Sequence, residues 1–181
     1  LKILPTEKHG LNHWTPVHIH IGAGDINGRV AVLDGKSIQP GADALVQLNL
    51  HTASPATFGD RFIIRDQSAK HTIGGGVIID PDGPRRGRAR PKRLEILQAL
   101  ELTDSEKAFK KLLEISTEGV FLKSFTDRRN LSEDDAQQLF SGIEMTLVND
   151  PIGPLALSTG NWKSITEELL REVTKFHNEH K

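Results

Sequence analysis

The hydrophobic period of this chain changes once, and the change falls at a short basic stretch between Pro81 and Leu94. Before it, Val17, Ile19 and Ile21 alternate with His18 and His20, so the aliphatic side chains share one face of a strand and the imidazoles the other. Segments 28–33, 44–50, 61–66 and 77–80 also combine Val, Ile, Leu or Phe with flanking Gly, Asp, Asn or Pro, which predicts further strands. No helix-length repeat interrupts them. Short strands divided by turn residues predict a small antiparallel barrel or sandwich, in which closure removes the exposed edges.

After Pro91 the period becomes helical. Leu94, Leu97 and Leu100 recur at spacings of three. Ala108, Phe109, Leu112 and Leu113 then form a second apolar stripe with lysines opposite, and Asp104 is placed to cap it. Segment 119–125 carries Val120, Phe121 and Phe125. Ser132 with Asp135 three residues on is a variant capping box, opening a helix whose core face is Ala136, Leu139 and Phe140. Segments 144–148 and 155–158 read as a hairpin, and 162–177 as a long amphipathic helix. Helices followed by a hairpin is the order of a winged helix. A length of 181 residues suits two small units of this kind.

The charge follows the same division. Residues 81–100 hold six basic and two acidic side chains, a net +4, whereas 101–150 hold six and eleven, a net −5. The basic collar contains Arg85, Arg86, Arg88, Arg90, Lys92 and Arg93 with no acid among them. Such a run binds a phosphate backbone by releasing counterions, and the arginine fork suits phosphate. It reads equally as a solvated linker between domains. Aromatics are few, so stacking on single-stranded bases is not supported. The helix opening at Ser132 would be the recognition helix of a winged helix, yet its first turn is Glu133-Asp134-Asp135, which repels a polyanion.

Several chemistries are excluded. Without cysteine there is no disulfide, thiol nucleophile or cysteine-ligated zinc, and the cytoplasm is the expected compartment. No apolar run approaches the ~20 residues of a membrane span. Gly22-Ala23-Gly24 and Gly74-Gly75-Gly76 lead into strand-like sequence, not into Lys and Ser/Thr at a helix start, so neither is a phosphate loop. His18, His20, His51 and His71 lie in neighbouring segments without an H-E-x-x-H helix or a clear acidic partner, which predicts partly exposed sheet histidines and no metal site. No nucleophile-and-base pattern occurs, so no active site is expected in this stretch. The chain opens on Leu1 without a leader, which predicts a piece of a longer gene product.

Thr15-Pro-Val-His-Ile-His-Ile-Gly-Ala-Gly-Asp-Ile-Asn-Gly-Arg-Val30, the stretch from Phe58 to Pro81 containing Arg61-Phe-Ile-Ile-Arg-Asp-Gln-Ser-Ala-Lys-His-Thr-Ile-Gly-Gly-Gly76, and Arg85-Arg-Gly-Arg88 resemble the bacterial selenocysteine-specific elongation factors. The resemblance is strong over residues 5–90 and architectural beyond them. It implies a six-stranded antiparallel β-barrel of the translation-factor domain III type over 1–84 and a basic linker over 85–93. A winged-helix domain over 94–160 and a helix over 161–181 that begins a further winged-helix module would follow. The implied activity is GTP-dependent delivery of selenocysteinyl-tRNA to the ribosome at UGA codons. The GTP and Mg²⁺ sites and the mRNA-hairpin-binding modules would lie outside this stretch. By similarity to the general tRNA-carrying factor, Arg65, Gln67 and Ser68 are implied RNA contacts, with Lys70 and His71 in an insertion of the same loop. The collar residues join them as candidates. Gly22-Ala23-Gly24 stands where the general factor has a polar Arg-Thr-Thr, a departure that weighs against carrying over a contact from the first strand. The implied partners are tRNA, the ribosome, the protein's own GTPase domain and its downstream modules. A coupling module without RNA contact is the alternative, and the acidic recognition helix favours it.

Overall fold

The computed structural model describes residues 1–180, so Lys181, the last position of the expected helix over 161–181, lies outside them. The chain forms two compact units, Leu1–Glu101 and the remainder from Leu102.

The first unit is built from β1 (Lys2–Ile3), β2 (Leu11–Asn12), β3 (Thr15–Ile21), β4 (Gly24–Val32), β5 (Ser37–Ile38), β6 (Val46–Leu50), β7 (Arg61–Arg65), β8 (Thr72–Val77) and α1 (Pro91–Glu101). Six strands form one antiparallel sheet in the order β1-β8-β7-β3-β4-β6, and β2 pairs with β5 separately. The sheet closes on itself. On its far side β1 meets the segment entering β6, where the Ile3 amide donates to Ala42 O at 3.0 Å and the Ala44 amide to Leu1 O at 2.9 Å. A barrel-like six-stranded sheet results, its β1 edge joined to the segment before β6 through residues 1–3 and 41–44.

The period-two pattern of β3 sets what lies inside. Val17, Ile19 and Ile21 are buried with Ile3, Val30, Val32, Phe62 and Ile64, and His18 and His20 stand on the outer face. Burying aliphatic side chains of this size contributes ~1.5–3 kcal/mol each. The strand expected at 77–80 is instead β8, five residues earlier. Glycine is a poor strand former, so Gly74-Gly75-Gly76 hid it. The barrel nevertheless requires glycine here, because a Cβ on Gly74 would sit 2.4 Å from the Lys2 carbonyl oxygen of β1. The β3–β4 hairpin turns on Gly22 and Ala23, with Gly22 at φ +56°.

The second unit contains α2 (Ser105–Ile115), β9 (Val120–Phe121), α3 (Leu122–Arg128), α4 (Glu133–Ser141), β10 (Thr146–Asp150), β11 (Gly153–Leu157) and α5 (Thr159–Glu179). Helix, short strand, two helices and a hairpin is winged-helix order, and the sheet runs β10-β11-β9. Asp104 caps α2 by accepting from the amides of Glu106 and Lys107, and Ser132 caps α4 by accepting from Asp135. Phe109 is fully buried at the centre, its ring 4.9 Å from both Phe125 and Phe140. Arg129 is also buried: its guanidinium donates to Leu102 O at 2.7 Å and to Ser105 Oγ at 3.3 Å, and lies over the Phe125 ring. Asn161 fixes the start of α5 by donating to the Leu113 and Ser116 carbonyls at the end of α2.

The unit boundary differs from the expected one. Winged-helix order begins at α2, not at Leu94, and α1 with the collar belongs to the barrel unit. Three contacts within that unit explain why. Gln47 donates to Pro84 O at 3.0 Å, Arg88 stacks on Trp14, and Arg93 pairs with Asp80.

Candidate nucleic-acid interface

The loop after β7 is organised by one carboxylate. Asp66 accepts from Ser68 Oγ at 2.5 Å, from the Lys70 amide at 2.9 Å and from the His71 amide at 2.8 Å. The Asp66 amide returns a bond to His71 O, closing the loop at its base. These donors, the Ser68 hydroxyl first, hold the Asp66 carboxyl down at about 2. Ala69 takes the left-handed turn at φ +53°. The consequence is a fixed loop with Gln67, Ser68 and Lys70 exposed at its tip. His71 turns back to Glu7, with its Nε2 2.5 Å from Oε1. Arg65 ends β7 opposite His18 of β3 and Thr72 of β8. The loop therefore brings together Arg65, Gln67, Ser68 and Lys70, while His71 serves as an anchor to the N-terminal segment.

The collar divides into exposed and anchored cations. Arg85, Arg86, Arg90 and Lys92 are exposed. Arg88 lies 5.3 Å over the Trp14 ring and donates to Arg85 O, which folds the collar on itself. Trp14 holds a left-handed backbone at φ +71°, unusual for a bulky residue, and Arg29 donates to its carbonyl at 3.2 Å. Arg93 is directed inward to Asp80, whose side chain is 2% exposed. Lys92 and Arg93 lie in the first turn of α1, where cations oppose the helix dipole. Pairing with Asp80 offsets that for Arg93.

The antiparallel register relates loop and collar. Along β3 from Ile21 to His18, β7 runs from Phe62 to Arg65, so the Asp66 loop leaves at the Thr15 end of β3. Trp14, which carries Arg88, immediately precedes Thr15. Loop and collar anchor thus share one end of the barrel. Trp14 and Asp66, which build this end, and Asp80, which follows β8 and anchors Arg93, are not cations and were not among the residues expected from sequence. The Asp-x-Ser spacing of Asp66 and Ser68 was the available signal for the turn.

Over residues 1–85 the chain matches the family described as selenocysteine-specific elongation factor, beta-barrel domain. Residues 1–85 of the chain belong to the beta-barrel domain family of selenocysteine-specific elongation factors. It is 30% identical over 151 residues to the selenocysteine-specific elongation factor of Desulfomicrobium baculatum, a match covering 81% of this chain and 24% of that protein. It is 26% identical over 176 residues to that of Escherichia coli strain K12, covering 94% of this chain and 26% of that protein. Among solved structures, that of a bacterial selenocysteine-specific elongation factor, EF-Sec, aligns over 97% of this chain and 25% of its own, with a TM-score of 0.56 and 16% identity, a likeness of fold. The chain spans about a quarter of the length of the curated relatives it matches. Among the described residues, no cluster of three or more His, Asp or Glu side chains is arranged to hold a metal, and no helix is long and apolar enough to cross a membrane.

Proposed function

We propose that this chain is the part of a GTP-dependent elongation factor that grips the backbone of selenocysteinyl-tRNA and joins the GTPase body to modules that bind an mRNA hairpin. On this reading the factor delivers its tRNA to the ribosome at UGA codons, and GTP with Mg²⁺ is held by a domain beyond these residues. The convergence of the Asp66 loop and the Trp14-anchored collar at one barrel end carries the reading. Both are prearranged, so little ordering cost is met when phosphates bind. Backbone contact supplies affinity, and selection among tRNAs is shared with the rest of the factor. The test is fluorescence anisotropy with selenocysteine tRNA on a variant with Arg85, Arg86 and Arg90 changed to Ala and a second with Gln67 and Lys70 changed to Ala. Each lost phosphate contact flattens the plot of log affinity against log salt by ~0.7–0.9. Unchanged slopes in both variants refute it.

A second reading, a coupling module without RNA contact, has one observation in its favour. The α4 first turn presents Glu133, Asp134 and Asp135 to solvent, so the second unit is unsuited to a nucleic-acid groove. The spacer role is therefore assigned to the winged helix and the RNA contact to the barrel.

A further inference from the structure

The outer face of the barrel continues the cationic loop across the sheet. Burial alternates along β3 and β7, so His18, His20 and Arg65 all stand outside, and His18 lies directly opposite Arg65 in the ladder. Side chains of such pairs are neighbours, with Cβ atoms ~4.5–5.5 Å apart. On the other side of β3, Asp25 of β4 lies opposite His20. One of its oxygens accepts from His18 Nδ1 at 3.1 Å and is 3.8 Å from His20 Nε2. The Arg65 Nε and His20 Nε2 atoms are buried and have no hydrogen-bond partner among the described residues. Buried polar nitrogens without partners are rare in folded proteins. Arg65 is also the first residue of the Asp66 loop, so the group is continuous with the proposed contact surface.

We propose that Arg65, His18 and His20 form a phosphate site on the barrel face, and that Asp25 occupies it as an internal competitor when RNA is absent. The occupant is a phosphodiester of duplex RNA, reached along the backbone from the Asp66 loop. A carboxylate and a phosphate oxygen take the same donors. The Asp25 side chain is half exposed, and an ion pair so exposed is held weakly enough to exchange. This inference rests on the reading of the barrel as an RNA-binding unit.

The test is a set of anisotropy titrations of the 181-residue chain with a fluorescent RNA duplex at low salt, using Asp25→Asn, His18→Gln, Arg65→Met and the loop variant Lys70→Ala. Asp25→Asn tightens binding about fivefold, the size of one unit-charge interaction at ~4 Å in water. His18→Gln and Arg65→Met each weaken it roughly three- to tenfold, as loss of one charge-assisted contact does. The opposite signs separate a competitor from a structural residue, since a variant that merely disturbs the fold does not bind more tightly. Weaker or unchanged binding by Asp25→Asn overturns the proposal. If only Lys70→Ala weakens binding, the sheet-face site fails and the loop reading stands. If the parent chain does not bind the duplex, both fail. Proton NMR of the His18 and His20 rings during titration with inorganic phosphate separates the two phosphate sources. Saturation by phosphate that the RNA does not compete away overturns the RNA assignment.

Discussion

Replacing Arg93 by Ala removes the cation that faces a carboxylate buried to 2% exposure, while Arg93 itself is only 16% exposed. Breaking a buried pair from one side costs about 3–5 kcal/mol, because the remaining charge keeps its desolvation cost and loses its partner. The Asp82 amide also donates to Asp80, at 3.1 Å, and lowers that cost. A loss of ~2–3 kcal/mol from the barrel unit follows. For a unit of this size, ~4–8 °C of melting temperature accompanies each kcal/mol, so its transition falls by roughly 10–20 °C. The linker reading of the collar predicts the opposite sign. A solvated cation in the first turn of α1 opposes the helix dipole, and its removal stabilises by ~0.3–1 kcal/mol. Calorimetry on Arg93→Ala, Arg93→Met, Asp80→Leu and the Arg93→Met/Asp80→Leu double variant decides between them. The double variant is expected to recover most of the loss, since an apolar replacement leaves no charge unpaired. A single variant as stable as the parent, or single losses that simply add, would refute the argument that the collar is part of the barrel.

Gly74→Ala places a Cβ 2.4 Å from the Lys2 carbonyl of the closing strand, so it should cost ~1–3 kcal/mol and expose the amides of Ile3 and Ala44 to hydrogen exchange. Phe109→Ala should destabilise the second unit by ~3–5 kcal/mol and leave exchange in the barrel unchanged, because the ring packs against Phe125 and Phe140. Asp66 is held down to about 2, below the ordinary carboxylate range, so the loop gains stability above pH ~4 and loses it as pH falls toward 2. Amide exchange at Lys70 and His71 followed from pH 5 to 2 checks this, and Asp66→Ala should show fast exchange there at every pH.

The barrel was legible in the residues of β3 because a strand with one buried face carries its own period. Its closure was not, since Lys2 and Ile3 are too few to show a period and their partners are two nonlocal segments. The β8 strand was obscured for a different reason: its glycines are dictated by the approach of neighbouring backbone, which no local propensity encodes. In the second unit Asp104 and Ser132 announced their helices through capping chemistry, whereas α3, with no side-chain cap on Phe121, gave no start signal. The candidate site was legible as a set of cations. Its division into exposed Arg85, Arg86 and Arg90 and anchored Arg88 and Arg93 depended on Trp14 and Asp80, respectively 74 and 13 positions earlier in sequence.

The most direct test of RNA contact by the barrel is a titration of the parent chain with selenocysteine tRNA and with an ordinary elongator tRNA, each at low and near-physiological salt. Binding that weakens steeply with salt and favours the selenocysteine tRNA is the predicted result. No binding to either tRNA at low salt would contradict it and leave the chain as a coupling module.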